Sequence, residues 1–211
     1  MTWSVERFRE APSASHARPL PQHAGRSVWV FEPTVPALVL GSAQRTDRVA
    51  TEIEVVRRRS GGGAVLVVPG ELLWVDVLVP AGDPLWDDDV GRAFGWLGDV
   101  WAGALAALGV ATTVHHGGLT RSPWSDAVCF AGLGPGELLN AAGEKVVGMA
   151  QRRTRSVARF QCAALARWDA AAVVGLLGLP PPAGDDLRGV AAGVGVPLDR
   201  LLSAFVSALP A

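Results

Sequence analysis

The chain has 211 residues, with 19 Lys+Arg against 20 Asp+Glu and a net charge of −1. That balance excludes general electrostatic binding to nucleic acid or to an anionic membrane. Its 49% hydrophobic content is enough for a sizeable core in one domain, while two cysteines make no disulfide framework and no signal segment opens the chain, which points to a reducing cytoplasm. Apolar runs such as residues 64–68 are too short to span a bilayer, so no membrane partner is expected.

Residues 1–27 mix charge with Pro12, Pro19 and Pro21 and show no clean period, so they read as an N-terminal surface segment ahead of a single domain over 28–211. Residues 28–31 and 36–41 read as short strands, the second apolar throughout and ending at Gly41. Gln44, in the turn that follows, either faces a pocket or caps its loop. The run Arg57-Arg58-Arg59-Ser60-Gly61-Gly62-Gly63-Ala64-Val65 lies between two apolar segments. Glycine lets a ligand approach backbone N–H groups, and arginine offers paired donors to phosphate or carboxylate, so the run reads as an anion cradle. It fits neither the P-loop nor the dinucleotide-binding glycine pattern.

Residues 71–80 alternate as a strand, with Trp74 and Asp76 on one face and Val75 and Val77 on the other. Asp88 or Asp89 is placed to cap a helix over 90–108, whose apolar stripe is core packing and whose end is Gly109. A strand over 110–115 follows, and the adjacent His115 and His116 would face opposite sides of it, which rejects a zinc site. Residues 137–148 read as strand, tight turn at Gly143 and returning strand led by Lys145. Lys145 is the only lysine among 19 basic residues. A compact ammonium retained where arginine serves everywhere else makes it the first catalytic candidate. A strand over 159–165 and helices over 170–177, 186–194 and 198–209 complete the scaffold.

Two of these stretches together resemble a known family. Arg57 to Val65 is similar to the R-R-x-[ST]-G-G-G-A-V segment of lipoate–protein ligases, and Glu144 to Arg153 looks like their [GK]-K-[IV]-x-G-x-A-x-R-x segment, in the same order and spacing. The resemblance implies an α+β fold, a mixed and largely antiparallel sheet flanked by helices, like the catalytic domain of the biotin/lipoyl ligase and octanoyltransferase superfamily. It also implies an enzyme that activates lipoic or octanoic acid with ATP and Mg²⁺ and passes the acyl group to a lysine on a lipoyl carrier domain of 2-oxoacid dehydrogenases or the glycine cleavage protein. Lys145 would neutralise developing charge, the N–H groups of Gly61, Gly62, Gly63 and Ala64 would hold acyl or phosphate oxygens, and Arg57, Arg58 or Arg153 would orient anions. Gln44, Ser60, Val65, Gly148 and Gln151 complete the expected substrate contacts. The glycine run is followed by Leu66-Val67-Val68-Pro69 in place of the family's aromatic-His-Asp stretch, and the extra C-terminal domain of many bacterial ligases is not expected here, so either an accessory chain supplies that part or full ATP-dependent activation is missing.

An alternative comes from Val128-Cys129-Phe130 with Glu137 and Lys145 downstream, which resembles a branch of octanoyltransferases. There Cys129 would accept the acyl chain from an acyl carrier protein as a thioester, without ATP. A lipoate- or biotin-binding relative without turnover is the third possibility.

Overall fold

The computed structural model describes residues 2–21, 25–45 and 53–211. Its strands are β1 (Ser4–Glu10), β2 (Ser27–Pro33), β3 (Ala37–Leu40), β4 (Glu54–Arg57), β5 (Val65–Val67), β6 (Leu72–Pro80), β7 (Thr113–Val114), β8 (Leu138–Leu139), β9 (Lys145–Arg153) and β10 (Val157–Leu165). The helices are α1 (Pro12–Ala17), α2 (Gly95–Ala106), α3 (Ala170–Leu177), α4 (Ala183–Asp186) and α5 (Leu198–Ser207), with 3₁₀ turns at Arg92–Phe94 and Cys129–Ala131. A seven-stranded sheet runs β1-β2-β6-β10-β9-β8-β7, and a three-stranded sheet runs β4-β3-β5. All pairs in the large sheet are antiparallel except β1 with β2. The fold is thus the mixed, largely antiparallel α+β architecture expected.

Strand alternation builds the layers. Val28, Val30, Val75 and Val77 face one way and form a core with Leu97, Trp101 and Leu105 of α2 and Leu201 and Phe205 of α5. Trp29, Phe31 and Trp74 face the other way, against Ala37, Val39, Val56 and Val67 of the small sheet. The large sheet is therefore sandwiched between helices and the small sheet, because its central strands β2 and β6 are apolar on both faces. The far side of the small sheet, at Leu38 and Leu40, is met by Leu176 and Leu177 of α3.

Several element boundaries differ from the sequence reading. Residues 4–10, expected to be irregular, form β1 in parallel register with β2. Most of that strand is exposed, so burial imposes no apolar period by which it would be read. The expected helix over 90–108 starts late, after a 3₁₀ turn whose Gly91 and Arg92 N–H groups are accepted by Asp89. The strand expected over 110–115 shrinks to two residues. The helix expected over 186–194 is replaced by α4 at 183–186, because residues 190–192 are drawn into backbone hydrogen bonds with both the N–H and the C=O of Lys145. No helix among the described residues is long and apolar enough to cross a membrane.

Candidate active site

The glycine run, the turn at Cys129 and the start of β9 converge on one open cleft of about 1170 Å³. Gly61, Gly62, Gly63, Cys129, Glu137 and Lys145 line it, with Gln44 and Gln151 at its sides. These elements come together because glycine permits close backbone approach. A Cβ on Gly41 would stand 1.8 Å from the Gly62 carbonyl oxygen, and one on Gly63 would stand 2.6 Å from the Val128 backbone. Gly62 also has φ +93°, a conformation that other residues adopt only under strain.

The polar residues of the run mostly serve the loop itself. Arg58 is buried and donates to the carbonyls of Gly61 (2.6 Å) and Gly63 (2.9 Å), with Cys129 Sγ 3.8 Å from the same nitrogen. Ser60 Oγ donates to Gln161 Oε1 at 2.9 Å. Arg57 is exposed and donates to the Ser42 carbonyl. The Ala64 N–H is spent on the Ala127 carbonyl at 2.8 Å. Ala64 therefore does not extend the anion cradle. The N–H groups of Gly61, Gly62 and Gly63 have no acceptor among the described residues and border the cleft. Gln44 resolves toward structure: its side chain accepts from the Gly41 N–H and donates to the carbonyls of Asp126 and Ala127, tying the loop after β3 to the loop before Cys129.

Lys145 is buried, and its ammonium is fully engaged. Nζ lies 2.7 Å from Glu137 Oε2, 3.1 Å from the Cys129 carbonyl and 2.9 Å from the Gly132 carbonyl, with the Phe130 ring centroid at 5.1 Å. Three acceptors suit the three donors of an ammonium. Glu137 is in turn held by the N–H groups of Gly134 and Met149. A Cβ on Gly148 would press on Lys145 Cε at 3.2 Å, so a glycine there makes room for the lysine stem. Lys145 and Glu137 form a neutral pair that clamps the turn carrying Cys129.

Arg153 is turned away from this cleft: it donates to the carbonyls of Asp87 and Asp88 and stacks over Trp86. Gln151 stays at the cleft, where both amide atoms are buried without a hydrogen-bond partner among the described residues. Val65 lies elsewhere, in the wall of a narrow apolar slot between the two sheets. That slot is lined by Val39, Val67, Leu72, Trp74 and Ala163, and it shares Cys129, Met149 and Ala150 with the open cleft. Glu137 and most of the slot's lining were not read from the sequence as site residues. Glu137 was detectable from its position at the start of the Lys145 hairpin, whereas the slot's contributors come from strands and a helix far apart in the chain.

A narrow apolar slot and the open cleft meet at Cys129, beside backbone N–H groups that have no acceptor among the described residues and beside a lysine–carboxylate pair. The chain belongs to the lipoyl protein ligase A/B catalytic domain family, whose model matches residues 18–194. Among solved structures, it is similar to a bipartite lipoate protein ligase from Thermoplasma acidophilum, described with its E2 lipoyl domain, with a TM-score of 0.76 at 16% identity, covering 99% of this chain and 82% of that one. A T. acidophilum protein with bound lipoic acid gives a TM-score of 0.71 at 16% identity over 98% and 82% of the two chains. A lipoate-protein ligase A bound with ATP gives 0.72 at 15% identity over 99% and 84%. At these identities the likeness establishes the fold. No curated protein sequence is a significant match to this chain.

Proposed function

We propose that this protein attaches a lipoyl or octanoyl group to a lysine of a lipoyl carrier domain. The observation that carries the proposal is the apolar slot that opens into the cleft at Cys129, beside the free N–H groups of Gly61, Gly62 and Gly63. An acyl tail in the slot places its carbonyl where those donors stabilise negative oxygen. The partners this implies are the acid, the carrier domain and, where the chain needs one, an accessory chain.

Activation as an acyl adenylate is the first reading. The carboxylate attacks the α-phosphorus of ATP, pyrophosphate leaves, and the carrier lysine then attacks the acyl carbonyl and expels AMP. The size of the cleft and its unpartnered glycine donors support a nucleotide there, and a relative of the same fold is known with ATP bound. Mg²⁺ in this reading enters with the phosphates. Lys145 acts by fixing the cleft floor that carries Cys129.

A second reading has its own observation: Cys129 Sγ is partly exposed where the slot meets the cleft, 3.8 Å from the Arg58 guanidinium. There the thiolate attacks an acyl thioester, the donor thiol leaves, and the carrier lysine displaces Cys129. Two measurements separate the readings. Acid-dependent ATP–pyrophosphate exchange that survives Cys129→Ser supports the adenylate. An intact-mass gain of one octanoyl group from an octanoyl thioester, lost in Cys129→Ser, supports the transferase. Neither signal, in the presence of a lipoyl domain, rejects both.

A further inference from the structure

The N-terminal segment lines the apolar slot through His16. Register fixes the slot's direction. Ala150 pairs with Gln161, which pairs with Asp76, and Gly148 pairs with Ala163, which pairs with Trp74. Gly148, Ala150, Gln161, Ala163 and Trp74 all line the slot, so it runs across the strands from β9 over β10 to β6. Two strand spacings amount to about 10 Å, the reach of a medium-chain acyl group. Cys129 stands at the β9 end, since its carbonyl is bound by Lys145, the first residue of that strand. His16 stands at the β6 end, its ring 4.7 Å from the Trp74 ring centroid.

His16 is held there by a chain of hydrogen bonds. Because Ser60 Oγ donates to Gln161 Oε1, the Gln161 amide nitrogen is the group that faces His16 Nδ1, at 3.4 Å. This assigns the neutral tautomer protonated at Nε2. Burial, with the positive charges of Arg159 and Arg58 adding to it, lowers the His16 pKa to about 3, so the ring offers no charge to an apolar tail at neutral pH. The helix that delivers His16 is pinned from both sides. Arg159, paired with the buried Asp76, donates to the Ser15 carbonyl at 3.1 Å, and Ser15 Oγ donates to Glu10 at 3.1 Å.

We propose that His16, carried by α1 and packed against Trp74, is the stop that sets the acyl-chain length this protein accepts. The inference rests on the reading that the slot receives an acyl tail, and it is the same for either activation route. It makes the N-terminal helix a specificity element of the site.

The test is the binding of hexanoate, octanoate and dodecanoate to the full chain, followed by calorimetry and by the fluorescence of the slot tryptophan, with thermal melts to confirm folding. The native protein should bind octanoate and disfavour dodecanoate by at least about tenfold. His16→Ala should lower the octanoate-over-dodecanoate affinity ratio to below about threefold. His16→Trp, which shortens the slot, should shift the preference to hexanoate. An unchanged chain-length order in either folded variant overturns the role of His16 while leaving the acyl site standing. Failure of the native protein to bind any of the acids overturns the acyl reading of the slot, and the stop with it.

Discussion

Replacing Lys145 by methionine tests the claim that its ammonium is an internal clamp. The substitution keeps the stem's length beside Gly148 and Phe130 but strands Glu137, whose side chain is 5% exposed. Removing one partner of a buried ion pair costs about 3–5 kcal/mol. Glu137 keeps two backbone donors, from Gly134 at 2.6 Å and Met149 at 2.8 Å, so the lower end, about 3 kcal/mol, is expected. For a chain of this size that is a fall in Tm of roughly 6–12 °C. A domain with about 5–15 kcal/mol of stability survives the change. Adding Glu137→Gln removes the stranded charge and should return about half of the loss, because a neutral amide still accepts one hydrogen bond. Urea unfolding of the native chain, both single variants and the double variant yields the coupling energy directly. A loss below about 1 kcal/mol in Lys145→Met, or a double variant no more stable than that single one, would refute the clamp. The result also governs activity data: a Lys145 variant that loses turnover has lost the seat of Cys129 together with a positive charge.

Other outcomes follow from the same geometry. Gly41→Ala places a methyl 1.8 Å from a backbone oxygen of Gly62, and this backbone contact cannot yield cheaply; urea unfolding should show a loss of at least about 3 kcal/mol. Gly62→Ala meets the far end of Arg58 at 2.9 Å and φ +93°, so a smaller loss of about 1–2 kcal/mol is expected, with weakened octanoate binding; unchanged binding would remove the glycine cradle from the site. Gln151→Met takes two unpartnered buried amide atoms away and should raise stability by about 1 kcal/mol while weakening ligand binding; a destabilised variant would contradict the reading. The folded pKa of His16, about 3, lies below its ordinary 6.5, so the unfolded chain takes up a proton that the folded chain refuses. Stability is therefore whole above pH 6.5 and falls by up to about 1.4 kcal/mol per unit as pH drops towards 3. His16→Phe should flatten that acid limb in a stability–pH series, and an unaltered slope would show that His16 titrates normally.

The sequence by itself determined the central strands and the hairpin turn at Gly143. Apolar alternation placed Trp74 and Asp76 opposite Val75 and Val77, and the strand–turn–strand reading of 137–148 was carried by Gly143, which adopts φ +81°. The paired glycine and lysine stretches marked the family because each has a local reason to be spelled as it is. What the sequence left open is which polar groups the fold consumes internally. Arg58, Ser60, Gln44 and the Ala64 N–H all read as ligand contacts, yet each is spent on partners within the protein. Arg153 is likewise spent on the loop at Asp87 and Asp88. The N-terminal helix gave no signal of its own importance. Its contact with the slot links His16 to Gln161, 145 residues away. Such pairings are settled only by tertiary structure, because burial forces each donor and acceptor to find a partner wherever packing brings one, and no local period records that choice.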